Sequence, residues 1–469
     1  MNFNKIAIIT GLISITALGS CKKDFLNLKP YDSVTASEAL KTESDLLVAS
    51  RGMYSGLRNV DIYGRTIPVI GDLMADNIYI SGKNSGRYTA QSNYSVTVTN
   101  AEISNNWTAS YNVILRANNI INSTLPSSVN VDQYKGEAYA VRALTYFNLV
   151  RVFAKPYSDD PSGPGVPLVL KYDRDSKPSR NTVAEVYTQI LADLDQAYTL
   201  MTKYSGSSAF SKFAARGLAA KVNLYKGDNT KALALANEVI STSGFTVTST
   251  ANYAAYWGSP TPNSSANKLE TLFEVSSDNI ANLGTDALAY IYSQAGYGDM
   301  LASPVLNGLY SATDVRKGLI IPGTRANVAS LFVNKYPNTQ NASDKDDTKV
   351  LRMSEVYLIA AEAAARLGGT NEVEALSKLN YLVSRRDPSL IYVSTGAQLI
   401  NDILTERRKE LAFEGDRYFD LTRLKLDVVR STNYPATART IPYTDSRRIA
   451  PIPQVERDVN PAVVQNAGY

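Results

Sequence analysis

Along most of this chain, apolar residues recur at the spacing of one helix face. A capping box, Thr35-x-x-Glu38, opens the first segment, and Leu40, Leu47, Met53 and Leu57 carry it to Arg58. Ile103, Trp107, Tyr111, Ile114, Asn118 and Ile121 mark a second face, which assigns Trp107 to the core. Tyr139, Ala143, Tyr146, Val150 and Phe153 mark a third. The Pro- and Gly-containing stretch from Lys155 to Asn181 reads as a connection. A second box, Thr182-x-x-Glu185, then opens a helix facing inward through Val183, Tyr187, Ile190, Leu194, Ala197 and Met201.

Two later stretches resemble each other. An Ala-rich helix over Phe213–Tyr225 stops at Gly227 and is followed by one from Asn229 with Ala232, Ala236 and Ile240. Another over Leu351–Leu367 stops at Gly368-Gly369 and is followed by Val373, Leu376, Leu379 and Val383. Small residues let paired helices approach closely, as in tetratricopeptide repeats, and such pairs bury their faces only by stacking. The pattern predicts a mainly α fold, a tetratricopeptide-like scaffold of three or four helix pairs with little β structure. Two excursions lack helical period, 61–100 and 244–349. The second includes the alternating pieces Phe245–Thr248 and Leu272–Val275, and long excursions of this kind usually carry function.

Composition narrows the chemistry. The 469 residues contain no His, which excludes histidine-based triads and histidine metal sites, and a net charge of +4 gives no basis for nucleic-acid binding. No cofactor or metal is expected. The 30 Tyr outnumber Phe and Trp together and suit a binding surface. The single Cys, Cys21, follows Lys5, an apolar run over Ile6–Leu18 and the small residues Gly19 and Ser20. That arrangement resembles a bacterial lipoprotein signal, with residues 1–20 removed, Cys21 acylated, 21–34 a tether and 35–469 one domain.

Several segments together resemble the SusD/RagB family of outer-membrane nutrient-binding lipoproteins. They are Cys21–Pro30 at the mature start, Ala140–Phe153 with Gly165–Leu168, Leu351–Glu362 and Glu406–Arg423. The closing run Pro451-Ile-Pro-Gln454, Asn460-Pro461 and Gln465–Tyr469 adds to them, with Ala467 where Pro is usual. The resemblance spans the chain. It implies about four tetratricopeptide-like units that form an extracellular lid on a SusC-like TonB-dependent transporter. Such a lid captures glycans, or peptides in some members, and catalyses nothing. Membrane association would run through the lipid anchor alone.

Candidate chemistry falls in three places. Glu406-Arg-Arg-Lys-Glu410 with Glu414–Asp420 could suggest a carboxylate pair for glycoside hydrolysis, but the adjacent Arg407 and Arg408 favour an ion-pair ladder along the helix. The resemblance makes this segment, and Asp314-Val-Arg316, structural. Asp344-Lys-Asp-Asp347 lacks the glycine turn and distal Glu of a Ca²⁺ loop and reads as a solvated acidic loop. Glycan recognition needs rings beside carboxylates, amides and guanidinium groups. Asp72, Asp76, Asn77, Tyr79, Arg87, Tyr88 and Tyr94 provide these in the first excursion; Tyr253, Tyr256, Trp257, Tyr290, Tyr292 and Tyr297 provide rings in the second. Trp257 stands out, because Gly258 and Pro260 place it in a loop. The resemblance implies that the first region contributes to the glycan site, as in a starch-binding member. That member uses a Trp absent from this loop, which implies a ligand other than starch. The expected function is oligosaccharide capture for a transporter; a scaffold binding only proteins and a helical glycoside hydrolase are the alternatives.

Overall fold

The computed structural model describes residues 39–258, 270–339 and 345–469. The signal, Cys21, the tether and the Thr35/Glu38 box lie outside them. The first described long helix, α1 (Glu43–Leu57), is capped by a different box, in which the Thr42 hydroxyl accepts from Asp45 N–H and the Asp45 carboxylate accepts from Thr42 N–H. Its buried face is Leu46, Ser50, Met53 and Leu57, one position removed from the expected Leu47. The scaffold continues through α2 (Thr66–Leu73), α3 (Ala101–Ile121), α4 (Val129–Phe153), α5 (Val183–Leu200), α6 (Lys212–Lys226) and α7 (Asn229–Thr242). After the second excursion come α8 (Met353–Leu367), α9 (Asn371–Val383), α10 (Gly396–Glu410) and α11 (Arg417–Arg423).

α1 packs with α3, α4 with α5, α6 with α7 and α8 with α9, while α5 against α6 and α7 against α8 join the pairs into a stack. Small residues permit the approach: a Cβ at Gly136 of α4 would stand 3.3 Å from the Ala197 carbonyl oxygen of α5. Thr182 and Glu185 form the expected capping box on α5, and Gly227 ends α6 in the left-handed conformation. None of the described helices is long and apolar enough to cross a membrane.

Two departures from the sequence pattern have physical causes. The stretch 61–100 contains α2, all eight residues of which are buried. A helix buried all round shows no polar face and hence no period. Leu351, expected at a helix start, instead lies in a strand. The described strands are β1 (Ile78–Ile80), β2 (Thr271–Val275), β3 (Met300–Ala302), β4 (Ile320–Arg325), β5 (Val328–Val333), β6 (Thr348–Arg352), β7 (Val428–Val429) and β8 (Thr440–Ile441). They form four antiparallel pairs, β1 with β3, β2 with β6, β4 with β5 and β7 with β8. Phe245–Thr248 is not among them.

Buried charge pins the second excursion to the scaffold. Glu410 at the end of α10 accepts from Arg386 at 2.9 Å, Arg352 at 2.9 Å and Arg316 at 3.2 Å. Glu270 pairs with Arg352 at 2.7 Å and Arg386 at 3.0 Å; Glu406 and Asp314 pair with Arg316 at 2.7 and 2.8 Å. The Asp314–Arg316 pair is therefore structural, as the resemblance implied. The expected ladder along α10 is replaced by bonds to other elements, with Arg407 reaching Glu355 and Asp420, and Arg408 reaching Asp76. Only Lys409–Glu406 stays within the turn. Buried charges need several partners at once, and those come from packed neighbours rather than from one helix face.

Candidate functional site

The two excursions meet at β1 and β3. Tyr79 stands opposite Leu301, and Ser81 N–H donates to the Asp299 carbonyl. One step along, Arg87 Nη1 donates to the buried Asp299 carboxylate at 2.8 Å. That anchor holds the guanidinium 4.3 Å from the centre of the Tyr297 ring, and Tyr297 in turn lies 5.9 Å from Tyr290. The Tyr297 and Gly298 N–H groups both donate to the Tyr290 carbonyl, folding 290–298 into a tight turn. A Cβ at Gly296 would come within 2.6 Å of that carbonyl oxygen, so the turn depends on this glycine. The hairpin of β4 and β5 backs the turn, with Phe332 3.0 Å from where a Cβ on Gly298 would sit. The outcome is a half-exposed row, Arg87–Tyr297–Tyr290, built from residues 203 positions apart at its ends. Tyr290 also walls a cavity of about 30 Å³, which is water-sized.

Sequence reasoning named the three members of this row but missed Asp299, which positions Arg87. A ring-based search gives an isolated Asp before a short strand no weight. Tyr79 is half-buried too, but leans edge-on against Tyr434.

Most of the other candidates are enclosed. Asp72 is fully buried, accepting from Asn77 Nδ2 and Gly415 N–H, and burial pushes its carboxyl up to about 7 against those bonds. Asn77 is buried between Asp72 and Arg408. Burial raises the Asp76 carboxyl, but Arg417 at 2.9 Å and Arg408 at 3.2 Å outweigh it and hold the group below its usual value. The buried Tyr88 hydroxyl contacts Arg65 and Thr66, and that of Tyr94 donates to the Met74 carbonyl. Trp257 belongs to a short helix, Tyr253–Gly258, and is 4% exposed. Lys335 lies 4.3 Å and Arg352 5.1 Å from its ring, and Tyr253 and Tyr256 pack beside it. Tyr292 is buried and stacked on Tyr336. As folded, these side chains offer no face to a ligand. Asp346 and Asp347 are likewise not freely solvated: Asp346 accepts from the backbone and side-chain N–H groups of Asn338, and Asp347 from Ser277 N–H.

Residues 24–224 match the family described as "Starch-binding associating with outer membrane", and residues 322–469 match the SusD family. SusD-like protein P38 of Formosa agariphila is 24% identical to this chain over 96% of it and 97% of its own length. A SusD superfamily protein from Bacteroides vulgatus superposes with a TM-score of 0.84 at 29% identity, over 91% of this chain and 99% of that one. The chain belongs to the SusD/RagB family. Surface glycan-binding protein A from Bacteroides thetaiotaomicron, solved with laminarihexaose, shares the fold at 19% identity, with a TM-score of 0.71 over 90% of this chain and 99% of that one.

In this SusD/RagB protein the densest carboxylate cluster is unsuited to acid catalysis. Burial raises Glu410, but Arg386, Arg352 and Arg316 overcome that and hold it well below the usual carboxylate range. A carboxylate so fixed cannot deliver a proton near neutral pH.

Proposed function

We propose that this protein is a non-catalytic outer-membrane lipoprotein. Anchored through Cys21 and facing the exterior, it binds an oligosaccharide on the Arg87–Tyr297–Tyr290 row and passes it to a SusC-like TonB-dependent transporter. The observation that carries the reading is the row itself. Two half-buried rings, Tyr297 with the Arg87 guanidinium over it, place apolar ring surface for sugar C–H groups beside donors for hydroxyls that a buried carboxylate holds in place. An open row rather than a deep pocket suits a segment of a longer chain. The names of the matched family and of its laminarihexaose-bound relative support a glycan as cargo.

Titrating the mature protein with α- and β-linked glucan hexasaccharides tests this. Replacing Tyr290 and Tyr297 by Ala is expected to weaken binding by roughly tenfold or more, about 1.4 kcal/mol, with the melting temperature unchanged. Equal affinity in the variant would refute the site. Turnover of a glycan would favour a hydrolase, and transporter capture without glycan binding would favour a protein-binding scaffold.

A further inference from the structure

A cleft of about 630 Å³ opens between the loop after α4, the turn at 443–449 and residues 465–467, and it shares no lining residue with the Arg87–Tyr297–Tyr290 row. Its size lies within the roughly 300–1,000 Å³ of clefts that hold small ligands. Bonds inside the protein fix its walls. Asn466 Nδ2 donates to the carbonyls of Phe153 and Ala450, and Gln465 accepts from Ile452 N–H and donates to its carbonyl. Arg448 donates from Nη1 to the Leu426 carbonyl at 2.7 Å and from Nη2 to the Thr422 hydroxyl at 3.1 Å.

The walls carry further polar groups, some enclosed and some at the rim. Arg448 is 4% exposed, and its Nε is buried without a hydrogen-bond partner among the described residues. Having no accessible surface, that N–H is not itself offered to a ligand, which meets the groups at the rim instead. The side chains of Asp160, Thr444 and Ser446 make no hydrogen bond or ion pair among the described residues. The Tyr443 ring adds a flat wall. Charge is nearly balanced, because Asp159 is paired with Lys425 at 3.2 Å and Asp445 with Arg447 at 2.5 Å. Lys155 and Arg448 then face Asp160 alone. A near-neutral cleft with fixed donors, acceptors, hydroxyls and one ring matches a neutral polyhydroxylated molecule better than an anion or a polycation.

We propose that this cleft is a second saccharide site, taking a short neutral sugar independently of the Arg87–Tyr297–Tyr290 row. Calorimetric titration of the mature protein with glucan trisaccharides, and with glycylglycine as the peptide probe, tests it. Trisaccharide affinity is expected to stay within about twofold in the Tyr290→Ala/Tyr297→Ala variant. It is expected to fall at least tenfold in Ser446→Trp, which fills the cleft from an exposed position, and at least threefold in Asp160→Asn, which changes no volume. The second variant keeps the test valid should the bulky one fail to fold. Absence of trisaccharide binding, retention of full affinity in both cleft variants, or binding of glycylglycine in place of sugar overturns the proposal. Hexasaccharide binding that depends on Tyr290 and Tyr297 while the cleft variants change nothing overturns this inference and leaves the proposed function standing.

Discussion

Trp257 and Tyr297 look alike in sequence, each an aromatic residue among Gly and Tyr in an excursion, and each ring has a cation beside it, yet Trp257 is buried and Tyr297 only partly so. Three cations stand within about 5 Å of the Trp257 ring, and Tyr253, Tyr256 and Tyr336 pack around it. Trp257→Ala is therefore expected to lower the unfolding free energy by about 3–5 kcal/mol, read from urea denaturation, while glycan affinity of the folded fraction is retained. Tyr297→Ala should do the reverse. Tyr composition and loop position identified the right pool of residues, but not which rings reach solvent. That choice depends on cationic partners from β6 and the 334–336 segment, and no local pattern around residue 257 announces them.

Elements governed by neighbours in sequence were the most legible. The Thr182/Glu185 box and the stop at Gly227 are one-turn interactions, and both occur where the residues place them. β6 was not legible, because its strand partner β2 lies some 77 residues earlier and the Ala-rich pattern that follows runs straight into it. α2 was hidden by its own burial. Its packing is closest at Gly71, where a Cβ would stand 1.9 Å from the Gly415 carbonyl oxygen. Backbone meets backbone there, so no side chain can yield. Gly71→Ala is expected to destabilise the protein by about 1–3 kcal/mol or more, seen as a lowered melting temperature, and to disturb the adjacent bond from Gly415 N–H to Asp72.

Taken whole, the molecule is a helical stack whose loop layer is fastened by buried ion pairs, and the fastening responds to acid. Burial raises Glu270, Glu362, Glu410 and Asp416, yet the arginines and lysine facing them hold all four below ordinary values. A folded value below the unfolded one, near 4, means their stabilisation is complete above the unfolded value and is lost as pH falls through the folded ones. Unfolding free energy should drop steeply below about pH 4, and Glu362→Gln should reduce that slope by about 1.4 kcal/mol per pH unit, one proton's worth. Circular dichroism melts across pH 2–6 would show both. The helical stack was readable from periodicity, whereas the meeting of 78–87 with 290–302 was not, since only tertiary pairing of β1 with β3 brings them together. The convergence of Arg316, Arg352 and Arg386 on Glu410 also sets an order of assembly. During synthesis Glu270 and Asp314 leave the ribosome before α10 but Glu410 follows all three arginines, so a nascent chain halted short of α10 carries three of these cations against two of their anions. The fold thereby withholds completion of this cluster until Glu410, late in the 469-residue chain, has been made.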